Sequence, residues 1–271
     1  MSNPTSSVTR PIVTLTTDFG TRDSYVAQMK GVIFSRSPDA VVVDVTHDIP
    51  RHDVVRASDV VAEAAGTYPA GSVHVVVVDP GVGSARAIVG VAADGRFFVG
   101  PDNGVFARVY DASDDVEVVR VENRDFRRPV VSGTFHGRDV MAPAAAALAV
   151  GVGLGSLGPV VPAAELVRPR RPAPKPIEGG FEAVVTHVDH FGNSVTNLAA
   201  ADLRTAVMSA SVGSETLAPV THYAEAGRGD AVTLVGSGGF YEVAVREGSA
   251  ADRFGLVVGS PVRFLTTPEK R

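Results

Sequence analysis

The sequence predicts an α/β fold for the first half of the chain and a small all-β domain for the second. Three observations carry this expectation. Apolar, β-branched runs alternate with helix-like stretches through Ala92. Three of those runs stop at an aspartate. Beyond a Pro/Arg-rich segment the pattern changes to short strands separated by glycine turns.

Strands are expected over Ile12–Thr16, Ala40–Val45, Val73–Val78 and Ala87–Ala92, with helices over Ser24–Ser35 and Asp53–Ala65 between the first three. That alternation builds a parallel sheet covered on both faces, and continuous Val runs suit strands buried on both sides. The strand-ending aspartates are Asp18, Asp44 with Asp48, and Asp79. Open parallel sheets bind ligands at the carboxyl ends of their strands, so these turns are expected to converge on one crevice. The plainer reading makes each aspartate a cap of the following helix or turn. A linker is expected over 167–180, with a domain over 11–166 before it, a domain over 181–271 after it and a disordered tail over 1–10. Strands in the second domain are read at FEAVVTHVD, AVTLVG, YEVAVRE and PVRFLTT, as a barrel or a sandwich.

At 271 residues, with 45% hydrophobic and 20% charged residues, the chain can bury a large core and is far from the composition of disorder. A net charge of -5 gives no basic face, which argues against nucleic acid. The absence of cysteine removes disulfides, thiolate nucleophiles and Cys-ligated zinc. MSNPTSSVTR has no apolar signal core, so a cytoplasmic protein is expected. Met141–Ala164 is uncharged and long enough to span a bilayer, but its glycines and prolines favour a short buried helix followed by a loop over a membrane span.

Several motifs offer chemistry. His136, in the turn SGTFHGRDVMAP, is a candidate acid or base, or simply a surface or capping histidine; Arg138 and Asp139 beside it read as a structural ion pair. HDIPRHD, over His47–Asp53, has two His-Asp pairs but no metal-ligand spacing, and reads as a solvated loop. GVGSAR lacks the lysine and the glycine spacing of a phosphate loop. HFGNSVTN, preceded by Asp189, offers an aromatic ring, an amide and a carboxylate suited to an adenine-like base and an ammonium group, or else a plain hairpin turn.

Taken together, TTDFGTRDSYVAQMKG, DPGVGSAR, GPDNGVF, TFHGRDVMAPAAA, DHFGNSVTN and AVREGSAADRFGL resemble the S-adenosyl-L-methionine (SAM) hydroxide adenosyltransferases, relatives of fluorinating and chlorinating enzymes, over nearly the whole chain. The resemblance implies a Rossmann-like N-terminal domain, a C-terminal β-barrel, and a homotrimer with active sites between subunits. It implies hydrolysis of SAM to adenosine and L-methionine, with no metal or cofactor. The family's catalytic triad falls on Asp79, Arg86 and His136. Its ribose-binding aspartate falls on Asp18. Its methionine contacts fall on Asp23 or Ser24, Asp189 and Ser237, and its adenine contacts on Asn193 and Phe191 or Tyr223. Phe135, beside the triad histidine, joins the substrate-binding set. At Gly238 the halogenating relatives carry a substrate-contacting arginine that this chain lacks.

Two positions separate the branches. The halogenating relatives have tyrosines at the positions of Asp79 and His136, and the fluorinating ones have a serine at Gly137. A carboxylate at 79 repels halide but not water. Either Asp79 or His136 is then the proton acceptor. The rival readings are a SAM-dependent halogenase, which those residues disfavour, and a non-catalytic SAM- or adenosine-binding protein, which has no use for charged groups beside the ribose 5′-carbon.

Overall fold

The structure is a computed structural model that describes residues 10–267. Two compact units divide between Pro169 and Arg170.

The first unit contains β1 (Ile12–Thr17), α1 (Tyr25–Arg36), β2 (Val41–Thr46), α2 (Val54–Ala65), β3 (Val73–Val77), β4 (Ile88–Ala93), β5 (Arg96–Pro101), α3 (Ala107–Ala112), β6 (Val116–Arg120) and α4 (Ala142–Ala149). Its sheet runs β2-β1-β3-β5-β4-β6. The members β2, β1, β3 and β5 pair in parallel. All five residues of β3 are buried, and they alternate between faces. Val73, Val75 and Val77 pack with Met29 and Ile33 of α1 and the alanines of α4, whereas Val76 and Val78 pack with Ala57 and Val61 of α2. Each buried valine contributes about 1.5–3 kcal/mol relative to exposure, so the Val run both selects the strand and anchors it between two helical layers. Asp53 caps α2 by accepting from the Arg56 amide at 2.9 Å, a contact of about 1 kcal/mol.

The sheet departs from an all-parallel one at β4, which runs antiparallel to both β5 and β6. The cause is local: Asp94 and Gly95, both at positive φ, make a two-residue hairpin turn from β4 into β5. From β1 the chain moves outward to β2 and then returns to β3 on the other side of β1. The strand order therefore reverses between β1 and β3, where an open α/β sheet leaves a crevice at the carboxyl ends.

The second unit is a closed barrel of β8 (Gly180–Val188), β9 (Ser194–Ala199), β10 (Val207–Val212), β11 (Glu215–Pro219), β12 (Ala231–Val235), β13 (Phe240–Val245) and β14 (Pro261–Thr266). Antiparallel pairing of β14 with β8 closes the ring, and Phe264, Leu198, Leu217 and Val243 fill it. The only helix longer than one 3₁₀ turn described in this unit is α5 (Ala250–Phe254). Within the stretch expected as linker, β7 (Lys175–Ile177) pairs with β8. The expected disordered tail lies outside the described residues except for Arg10. The uncharged stretch from Met141 forms α4 and then a loop, and no helix among the described residues is long and apolar enough to cross a membrane.

Candidate active site

At the switch point the first unit holds a cavity of about 350 Å³, lined by Asp18, Asp23, Asp79, Phe135 and His136 among others. Asp79 starts the turn immediately beyond β3. Its carbonyl accepts from the Val82 amide at 3.2 Å, and the Gly81 carbonyl accepts from the Ser84 amide at 3.1 Å. This tight reversal brings Arg86 back onto Asp79. Arg86 Nε donates to Asp79 Oδ1 at 2.8 Å and to Oδ2 at 2.9 Å, and Nη2 donates to Oδ2. The Asp79 side chain is 5% exposed and that of Arg86 is 11% exposed. A guanidinium-carboxylate pair this enclosed is rigid, because leaving either charge unpaired would be costly.

Arg86 Nη2 also meets His136 Nδ1 at 2.9 Å. A guanidinium only donates, so Nδ1 accepts and a neutral imidazole carries its proton on Nε2. Burial and the Arg86 charge both push the His136 pKa below its ordinary value of 6.5, which keeps the ring neutral at pH 7.

Two devices aim His136. Gly83, at φ +82, lies where a Cβ would come within 2.6 Å of the Gly133 carbonyl oxygen, so only glycine lets the Asp79 turn pack on the loop before His136. The second device is a wide π-helical turn over Gly137–Met141, closed by the Ala142 amide donating to the Gly137 carbonyl. Asp139, within this turn, is fully buried. It accepts from Arg138 Nε at 2.7 Å, Arg128 Nη1 at 3.0 Å and the Ser132 amide at 2.8 Å. Burial alone would raise its pKa, but these donors outweigh it and hold the group at about 2. The Arg138–Asp139 pair is thus structural, as the plainer reading has it, and it fixes the loop that carries His136.

Asp18, at the end of β1, accepts from the His52 amide at 2.9 Å. Asp23 lines the cavity; Ser24 does not, and its hydroxyl accepts from Gln28 Nε2 at 2.9 Å. The rings of Phe19, Tyr25 and Phe135 form a wall, with centroids 5.3–5.9 Å apart. The expectation that all three acidic strand ends converge is corrected for Asp44 and Asp48. Neither lines this cavity, and Asp44 pairs with Lys30 at 2.6 Å and His47 at 3.0 Å. The side chain at the end of β2 is drawn off by a cation on α1.

The barrel unit holds a cavity of about 910 Å³, lined by Asp189, Phe191, Asn193, Tyr223 and Ser237. Asp189 organises the HFGN hairpin by accepting from the Phe191 amide at 2.8 Å, the Asn193 amide at 2.9 Å and Asn193 Nδ2 at 2.9 Å. Phe191 projects from the tip, 75% exposed. Tyr223 Oη accepts from Asn193 Nδ2 at 3.4 Å and donates to Glu242 Oε1 at 2.5 Å. Glu242, in β13, is 4% exposed. Burial raises its carboxyl pKa, and the nearby Asp189 charge adds to the rise. Sequence reasoning missed Glu242 and the Phe19–Tyr25 part of the aromatic wall; the available signal was a lone acid at the centre of the apolar strand FYEVAV.

Residues 13–158 match the SAM hydroxide adenosyltransferase N-terminal domain, and residues 183–263 match the C-terminal domain of the same family. The chain is 40% identical over 254 residues to the (R)-S-adenosyl-L-methionine hydrolase of Salinispora tropica, covering 93% of this chain and 97% of that protein. It is 28% identical to a fluorinase of an Actinoplanes species, covering 93% and 96%. A crystal structure of an uncharacterized conserved protein from Thermotoga maritima superposes with a TM-score of 0.83 at 31% identity, covering 94% of this chain and 99% of that one. With both family domains matched in order and the hydrolase nearer in sequence than the fluorinase, the chain belongs to the SAM hydroxide adenosyltransferase family.

Proposed function

We propose that this protein hydrolyses SAM, with water displacing L-methionine from the ribose 5′-carbon to release adenosine. The observation that carries the reading is Arg86 holding both Asp79 and His136 at one cavity. The water oxygen bonds to the 5′-carbon while the carbon–sulfur pair leaves with sulfur as a neutral thioether, so the leaving group needs no acid. Asp79 accepts the water proton: Arg86 occupies only part of the lone-pair capacity of its carboxylate. His136 donates a hydrogen bond from Nε2–H to the water oxygen, keeping its proton, and so orients the other lone pair toward carbon. Position supplies much of the acceleration, because the nucleophile is held before the bond forms.

Asp79 also decides against halide. At about 4 Å two like charges oppose each other by about 1 kcal/mol in water and about 4 kcal/mol at an effective dielectric constant of 20. The same carboxylate, with Asp18 and Asp23 on the same cavity wall, favours a cationic sulfonium. The substrate taken is the (R)-sulfonium epimer for which the Salinispora relative is named. Asp18 holds the ribose and Asp23 the methionine end. Asp189 and Ser237 complete the methionine contacts, and Asn193 with Phe191 or Tyr223 takes the adenine.

The proposal extends to a homotrimer in the cytoplasm, in which the N-terminal unit of one copy and the barrel of the next complete each site. Mixing Asp79→Asn with Asp189→Ala subunits tests this, since shared sites regain part of the activity on exchange and unshared sites regain none. Incubation with each sulfonium epimer, scored by adenosine release, tests the substrate; turnover of neither overturns the reading.

A further inference from the structure

A second cavity, of about 480 Å³, is lined by Ala85, Arg86, Asp102, Arg127, Val131 and His136 among others. His136 is common to its wall and to that of the cavity holding Asp18 and Asp79. The remaining lining residues differ: the first cavity draws on the ends of β1 and β3, the start of α1 and Thr134 and Phe135, the second on the start of β4, the end of β6 and Val131. The second lining sets three guanidiniums and two carboxylates, Asp102 and Glu122, among aliphatic side chains such as Ile88, Val121 and Val140, and the charged groups give ordered water its partners.

The proposed reaction makes a demand that the first cavity does not meet. Each turnover consumes one water and releases one proton: a sulfonium of charge +1 and neutral water become neutral adenosine, a neutral thioether and H⁺. While the ribose and the sulfonium centre occupy the first cavity, they block that side of the triad to solvent.

We infer that the second cavity is the solvent door of the active site, through which water reaches the triad and the proton taken by Asp79 leaves, with His136 as the wall shared by the two chambers. This rests on the hydrolase reading. The rim offers a way to close the door without touching the triad, because Ala85 and Val131 are exposed there and line only the second cavity.

The experiment compares Ala85→Leu and Val131→Phe with the parent, following adenosine release in H₂O and D₂O. A folding check is provided by thermal melts and by the widening variant Val131→Ala. Where passage through this cavity limits turnover, kcat falls by about 5-fold or more at unchanged KM for SAM, the solvent isotope effect grows, and Val131→Ala keeps or raises the parental rate. A kcat within about twofold of the parent in both plugged variants, or a KM that rises in step with the loss, overturns the inference. If plugged variants lose activity together with melting temperature, or if Val131→Ala loses as much as Val131→Phe, the loss is one of packing and the inference also falls. A parent that releases no adenosine fails the functional reading itself, and that result is separate from all of these.

Discussion

Each unit encloses a carboxylate at its cavity, and the two are handled in opposite ways. Asp79, at the end of a parallel strand, is clasped by a guanidinium. Glu242, inside the barrel wall, meets the Tyr223 hydroxyl, and its pKa is raised by burial. A carboxylate locked to Arg86 is held in one direction while it takes part in a reaction. One whose pKa burial has pushed up gives up its charge more readily and serves as a hydrogen-bonding surface. The first arrangement suits chemistry at a cation, the second recognition of neutral polar groups such as a base or a ribose.

The largest expected effect comes from removing the charge of the clasped group. Asp79→Asn lowers kcat by about 10²–10⁴-fold, the range of a positioned proton acceptor, with a much smaller change in KM. A steady-state rate near that of the parent would place Asp79 and Glu242 in the same class and end the contrast.

Next comes the clamp behind His136. Asp139→Asn removes the buried anion shared by Arg138 and Arg128, whose own side chains reach solvent, at a cost of about 1.5–3 kcal/mol read by denaturant unfolding. A cost under about 1 kcal/mol would mean that the π-helical turn is held by backbone packing alone.

A third test uses a buried titratable group away from both cavities. His74, on β3, is 2% exposed, bonded to Thr14 Oγ1 at 2.8 Å and stacked on Phe98. Burial, with the Arg96 charge, lowers its pKa from 6.5 to about 4. A depressed folded pKa means that the unfolded chain takes up the proton first. The stability from neutral His74 is therefore complete above pH 6.5 and is lost as pH falls toward 4, by at most about 3 kcal/mol. His74→Phe should flatten the unfolding profile over that window; an unchanged slope would show that other groups carry it.

The smallest effects belong to the barrel. Tyr223→Phe removes the hydroxyl's bonds to Asn193 and Glu242, and Glu242→Gln keeps an acceptor for Tyr223 but removes the carboxylate; at about 0.5–1.5 kcal/mol per bond, KM rises by up to about 10-fold while kcat stays near the parental value. A fall in kcat as large as that of Asp79→Asn would move the chemistry into the barrel.

How much of this was legible in the sequence varies with how local the cause is. The Val run of β3 and the turn DPGVGSAR could be read directly, because strand burial and a tight reversal are written in adjacent residues. The β4–β5 hairpin was equally local, signalled by Asp94–Gly95, yet the strand expectations stop at Ala92. The strands β10 and β11 were missed because VMSASV and ETLAP carry little apolar periodicity; they are strands because barrel closure requires them. At the site, the placement of His136 beside Arg86 came from the family resemblance and from no spacing rule, since the two lie 50 positions apart. Asp44 misled for the opposite reason. Its strand-end position looked like that of Asp18 and Asp79, and only the fold shows Lys30 drawing it away.

In the proposed reaction an uncharged oxygen nucleophile, held by Asp79 and His136, ends up on the ribose 5′-carbon. The decisive measurement is turnover of SAM in ¹⁸O-enriched water, with mass spectrometry of the nucleoside product. Adenosine is expected to carry one ¹⁸O at the 5′-oxygen in proportion to the enrichment of the solvent. Unlabelled adenosine, or a 5′-halogenated nucleoside formed when halide is added, would contradict it.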